Sequence, residues 1–208
     1  MIHKGRRGMV DVDKKKIRRI IKNLAVAALI LVLVLPAGRI WVQRGLMKIG
    51  LFRPDLEQPK EGSQTPSAVG HTAPEVTFLN NEGNTVRVSD LKGKVVFLNF
   101  WATWCPPCKA EMPSIQILKD KFKGNGNVVF LLVEIEGERQ KAQMFMEQGN
   151  MDLPVVYPQS DIPPEWLGQS IPTTVILNKE GRVAARHEGM ADYSRTEVSN
   201  FITELLNK

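Results

Sequence analysis

The chain has 208 residues, 43% hydrophobic and 24% charged, the mixture of one ordinary globular domain with appendages and not of a disordered, collagen-like or polytopic membrane protein. Its formal charge of +6 belongs to one end: nine bases (Lys4, Arg6, Arg7, Lys14, Lys15, Lys16, Arg18, Arg19, Lys22) and two acids (Asp11, Asp13) precede residue 23, leaving 19 bases and 20 acids for the rest. That balance excludes a basic nucleic-acid surface, so no nucleic-acid partner is expected; two cysteines in the whole chain exclude a multi-disulfide scaffold.

Residues 1–19 form a basic segment, and residues 24–37 (LAVAALILVLVLPA) an unbroken apolar run. As a helix, fourteen residues reach only about 21 Å against a hydrocarbon core of roughly 30 Å. Extension over 20–42 supplies the length, with Lys22 and Arg39 snorkelling to the two headgroup layers and Trp41 in the interface. The expectation is a transmembrane signal anchor at 20–42 with its N-terminus in the cytoplasm, which puts everything after about residue 43 on the periplasmic or extracytoplasmic side. A cleaved signal peptide is the competing reading, but the candidate cleavage positions pair Leu35 with Ala37 or Pro36 with Gly38, and neither pair is good. Residues 43–69 turn rich in Pro, Gly, Ser, Gln and Glu and read as a juxtamembrane linker.

From residue 70 to 208 the patterning is regular. Short β-rich runs at 76–79 and 85–88 flank Asn80-Asn81-Glu82-Gly83-Asn84 and read as a hairpin. Residues 94–100 (KVVFLNF) suit a central strand buried on both faces. Then come Trp101-Ala102-Thr103-Trp104-Cys105-Pro106-Pro107-Cys108 and a helix with Met112, Ile115, Leu118 and Phe122 on one face, bearing Pro113 in its interior. A second buried strand is expected at 128–135, a helix at 138–148, a short strand at 153–157 and a helical turn at 163–167. Strands follow at 173–177 and 182–187 around the turn Asn178-Lys179-Glu180-Gly181, then a helix at 194–206 capped by Ser194. The order predicts an α/β domain, a mixed central sheet flanked by helices.

Cys105 and Cys108 lie three apart at the start of a helix, so one turn brings them about 5 to 6 Å apart, a Cα spacing that a disulfide accepts. With Cys105 at the N-cap and Pro106 near the first helical position, unpaired N–H groups and the helix dipole favour a Cys105 thiolate. Cys105 is thus the expected nucleophile and Cys108 the resolving thiol: the thiolate attacks a disulfide, and Cys108 displaces the product while closing the Cys105–Cys108 bridge. The exchange needs no cofactor. A static structural bridge is a poor alternative, because closing so small a ring restricts the unfolded chain little. Trp104 and Pro107 are candidate active-site neighbours; Trp104 reads as an apolar rim that touches partners, Trp101 equally as packing.

The string LNFWATWCPPC, followed by Lys109-Ala110-Glu111-Met112-Pro113 and later by Ile171-Pro172-Thr173-Thr174, resembles the thioredoxin superfamily and, more closely, the membrane-anchored TlpA/ResA-like thiol–disulfide oxidoreductases. The resemblance covers about residues 70–208 and implies a thioredoxin-like fold. It implies a cis bond before Pro172 facing the cysteines, with the Ile171 backbone pairing an extended substrate segment. Thioredoxins proper carry a buried aspartate six residues before the first cysteine, where this chain has Asn99; the ResA-like proteins place an acid three residues after the second cysteine, where this chain has Glu111. By that likeness Glu111 tunes the thiols and carries the proton of Cys108, the plain alternative being an exposed first-turn glutamate favoured by the helix dipole.

The resemblance favours a reductant of disulfides in exported proteins, apocytochrome c among them, during cytochrome c biogenesis. With no further cysteine in the chain, electrons would come from a separate membrane thiol carrier. Kept beside this are a dithiol oxidase and a copper-handling thiol chaperone that would pair the two thiols with a histidine. A zinc site needs ligands beyond one C-x-x-C pair, and the histidines, His3, His71 and His187, are scattered, so no metal is expected.

Overall fold

The computed structural model describes residues 14–34 and 75–208, together with 42, 45–46 and 54. The chain divides into two units, Met1–Arg39 and Ile40–Lys208. In the first, α1 (Lys14–Val34) starts within the basic segment and leaves Ile20, Ile21, Leu24, Val26 and Leu31 exposed. Among the described residues no helix is long and apolar enough to cross a membrane; the remainder of the span expected at 20–42, like most of the linker at 43–69 and both His3 and His71, lies outside them.

The second unit is built on a seven-stranded mixed sheet in the order β2-β1-β5-β4-β3-β6-β7. Its strands are β1 (Thr77–Asn80), β2 (Thr85–Arg87), β3 (Val95–Trp101), β4 (Val128–Glu134), β5 (Val155–Pro158), β6 (Thr173–Leu177) and β7 (Val183–Glu188). The expected hairpin is β1–β2, antiparallel, and β1 also pairs antiparallel with β5. Every residue of β3 is buried, as its continuous apolar run requires; it runs parallel to β4 and antiparallel to β6. Gly181, at φ 77°, allows the tight turn into β7, where its N–H reaches the Asn178 carbonyl at 2.9 Å.

Over the described residues 75–208 the sheet is joined by three helices: α2 (Pro106–Lys121), α3 (Arg139–Gln148) and α4 (Thr196–Asn207). Alternation along β3 separates two cores. Val95, Phe97 and Trp101 join buried side chains of all three helices, including Met112, Ile115, Leu118, Met146 and Ile202. Val96, Leu98 and Phe100 join Phe78, Val133, Val175 and Trp166, a face covered among the described residues by the 3-10 turn Val88–Leu91 and by Ile162 and Leu167.

Most boundaries fall within one residue of the pattern in the sequence, and two elements start two residues late. The last helix starts at Thr196 with Arg195 at its N-cap, because the Ser194 amide and hydroxyl are both taken by Asp192 Oδ1, at 3.0 and 2.5 Å. The strand expected from 153 starts at Val155: Pro154 has no N–H to give a ladder, although its carbonyl already receives the Leu132 N–H at 2.9 Å.

Candidate active site

The strand β3 delivers the chain to Trp101 and Ala102, both fully buried, and α2 begins four residues later. Cys105 is its N-cap residue, in extended conformation, and a proline occupies the first helical positions, where a missing N–H costs nothing. Cys105 and Cys108 are joined in a disulfide with Cα atoms 5.4 Å apart. The Cys108 N–H points at Cys105 Sγ at 3.3 Å, so the helix terminus directs a backbone donor at the sulfur expected to carry negative charge when the pair is reduced. Both cysteines are buried, Cys108 completely.

The Ile171–Pro172 peptide is cis, and the Ile171 carbonyl oxygen lies 4.0 Å from Cys105 Sγ. Residues far apart in sequence thus meet as the resemblance implies. The segment is pinned on both sides: Thr173 donates its hydroxyl to the Ser170 carbonyl at 2.6 Å, and the Gly189 N–H reaches the Pro172 carbonyl at 2.8 Å. Ser170 also donates to Glu188 Oε2 at 3.2 Å, and Glu188 is paired with Arg186, which holds its carboxyl below the usual range.

Trp104 is 61% exposed beside the disulfide, whereas Trp101 is core and packs on Phe145 with ring centroids 5.8 Å apart. Pro106 and Pro107 are half-buried in the first turn of α2. An open groove of about 370 Å³ adjoins Trp104, lined among others by Thr103, Lys109, Met144 and Phe145; Lys109 Nζ donates to the Thr103 carbonyl at 3.1 Å and lies 5.1 Å from the Phe145 ring centre. Trp166 packs in the second core. Among the described residues no group of three or more His, Cys, Asp or Glu is placed to hold a metal ion.

Glu111 is not the exposed first-turn residue that a dipole alone would explain. It sits one turn beyond Cys108 on the buried face of α2 and is 0% exposed. Asn99 Nδ2 donates to its Oε1 at 2.8 Å and the Ala191 N–H to its Oε2 at 3.1 Å. Burial outweighs both hydrogen bonds and pushes its carboxyl up to about 8. Asn99 Nδ2 also donates to Thr174 Oγ1 at 2.9 Å, which in turn receives the Tyr193 hydroxyl at 2.7 Å. Tyr193 is fully buried, and its phenol is raised well above its usual range by burial and by the Glu111 charge.

This network is the part of the site that the residue patterns did not disclose. Asn99 carried a signal, being a polar residue in a run buried on both faces and so in need of a partner. Its register opposite Thr174, and the arrival of Ala191 and Tyr193 from an irregular segment, had none.

Comparison with known proteins places these features in context. The redoxin family model matches residues 68–205. The thiol-disulfide oxidoreductase ResA of Geobacillus kaustophilus is 36% identical over 121 residues, covering 58% of this chain and 69% of the relative. ResA of Bacillus cereus is 33% identical over 138 residues, covering 66% and 78%. Among solved structures, a Chlorobium tepidum protein assigned as a thiol:disulfide interchange protein DsbE superposes with a TM-score of 0.55 at 26% identity, covering 66% of this chain and 96% of that one. A secreted thiol-disulfide isomerase of Corynebacterium glutamicum gives 0.54 at 26%, covering 65% and 85%.

Proposed function

We propose, since this chain belongs to the redoxin family and is a ResA-like thiol–disulfide oxidoreductase of the thioredoxin superfamily, that it works outside the cytoplasm, held to the membrane by its N-terminal segment, and reduces disulfides in exported proteins, apocytochrome c being the model substrate. The observation that carries the reading is the disulfide at the N-terminus of α2 with the Ile171 carbonyl 4.0 Å from Cys105 Sγ.

An extended substrate segment laid along Ile171 brings its own disulfide to Cys105. The Cys105 thiolate attacks one substrate sulfur and expels the other as a thiolate, forming a mixed disulfide. Cys108 gives up its proton and attacks Cys105 Sγ, which releases the reduced substrate and restores the bond seen here. Glu111, one turn from Cys108, takes that proton when its carboxyl is ionised and returns it when the dithiol is restored. Trp104 and the groove beside it supply apolar surface against which a partner closes. A membrane thiol carrier then restores the dithiol.

The anchor is supported by the basic residues ahead of the apolar run and by the unpartnered apolar side chains of α1. A full span would continue past Val34 into residues outside those described.

In the full-length chain, Cys108→Ser is expected to accumulate mixed disulfides through Cys105, in the membrane fraction and with exported proteins. Partners trapped through Cys105→Ser instead would reverse the two roles, and partners confined to the cytoplasm would overturn the location.

A further inference from the structure

Every polar atom around Glu111 has a use except one. Asn99 is fully buried on β3, its Nδ2 gives both protons, to Glu111 Oε1 and Thr174 Oγ1, and its Oδ1 has no hydrogen-bond partner among the described residues. A buried carbonyl-type oxygen left unpaired is costly, and such orphans occur where a group serves more than one state. The donors on Glu111 point the same way. Both of its oxygens receive an N–H, from Asn99 on β3 and from Ala191 in the segment ahead of α4, so the arrangement suits the carboxylate. The acid form, which burial favours, carries an O–H that must find an acceptor.

The other titratable groups about this cluster are Cys108, one turn earlier on α2, and Tyr193, from the segment ahead of α4. Tyr193 already donates its hydroxyl to Thr174 on β6. The unspent acceptor is Asn99 Oδ1.

We propose that Asn99 is a positioning residue for Glu111: its side-chain amide turns end for end as Glu111 gains or loses a proton, offering Nδ2–H to the carboxylate and Oδ1 to the carboxylic acid. The two ends of an amide are nearly equal in size, so the turn displaces no neighbour. After it, Oδ1 occupies the place of Nδ2, at 2.8 Å from Glu111 Oε1 and 2.9 Å from Thr174 Oγ1, and accepts from both hydroxyls. Tyr193 still donates to Thr174, both Thr174 and Glu111 give to Asn99, and the turn carries the two Nδ2–H groups to the place that Oδ1 held. In the dithiol form the Glu111 O–H bond is made as the Cys108 S–H bond breaks and is broken as that bond re-forms; in the disulfide form the proton is exchanged with solvent. The inference rests on the reading of Glu111 as the proton carrier for Cys108, and it identifies what holds each of the two protonation states in place.

The test is a pH titration of the oxidised full-length chain by nuclear magnetic resonance, with label in the glutamate carboxyls and the asparagine side-chain amides. The Asn99 amide signals are expected to move with the same midpoint as the Glu111 carboxyl, and to stop moving in Glu111→Gln. A Glu111 that titrates beside an unmoved Asn99 amide overturns the turning amide while leaving the proton carrier standing. A Glu111 that does not titrate between about pH 5 and pH 10 overturns both. Asn99→Leu, which removes both ends of the amide, takes one bond from each protonation state, so the Glu111 midpoint is expected to move by less than the about one to two pH units that loss of a donor to the carboxylate alone would give. The pH profile of thiol alkylation in the reduced protein should follow the same small shift; a rise of the full one to two units would mark Asn99 as a fixed donor and sink the proposal.

Discussion

Burying Glu111 makes the stability of this fold depend on pH in a direction opposite to that of a salt-bridged carboxylate. Its carboxyl is raised from 4.5 to about 8, so the folded chain holds that proton more tightly than the unfolded chain. The contribution is therefore fully present below about pH 4.5, declines as the pH climbs toward 8 and is level above it. The slope from this one group reaches at most about 1.4 kcal/mol per pH unit. Glu111→Gln keeps the shape and loses the titration, so urea unfolding with the disulfide intact should show wild type losing stability between pH 5 and 8 and the variant holding nearly constant. Equal slopes would assign the pH dependence to other groups. At this scale the sequence was partly legible. The spacing at Cys105 and Cys108 was enough for their pairing, and the likeness pointed to Glu111; that its partner is Asn99, noted only as the absence of a thioredoxin-type aspartate, depends on which way a strand residue faces across the sheet.

Periodicity explains which elements could be read. Helix α2 shows buried residues at a spacing of three and four from Cys108 through Glu111 and Ile115 to Leu118, and β3 shows a run too apolar for any position but the centre of a sheet. The same helix that caps the disulfide at one end is clamped to the core at the other by Leu118, which is fully buried. Leu118→Ala is accordingly expected to cost about 2–5 kcal/mol of stability while leaving disulfide exchange by the folded protein unchanged, since three turns separate it from the sulfurs. Denaturant unfolding paired with a thiol-exchange assay checks this, and a redox defect without loss of stability would refute the separation of roles. Elements without a period were harder. The residues that join Ala191 and Tyr193 to the site precede α4 in an irregular segment whose course is set by Asp192 and Ser194, and among the described residues the cover of the second face comes from turns.

The whole chain holds two cysteines, both spent in one bridge. Under the proposed reductant role each substrate reduced leaves the pair oxidised, with no further cysteine in the sequence to restore it, and the direction of net flow is set by how the Cys105–Cys108 potential stands against the proteins on either side. Glu111, one turn beyond Cys108, is held neutral below about pH 8 by burial, while a backbone N–H aimed at Cys105 Sγ would stabilise a thiolate there. Equilibration of the full-length chain with dithiothreitol or glutathione is expected to give a potential near the roughly −270 mV of thioredoxin, low enough to reduce exported disulfides while drawing on a membrane supply. A value near the roughly −120 mV of a strong oxidant would reverse the flow and make the bridge found here the form that is donated.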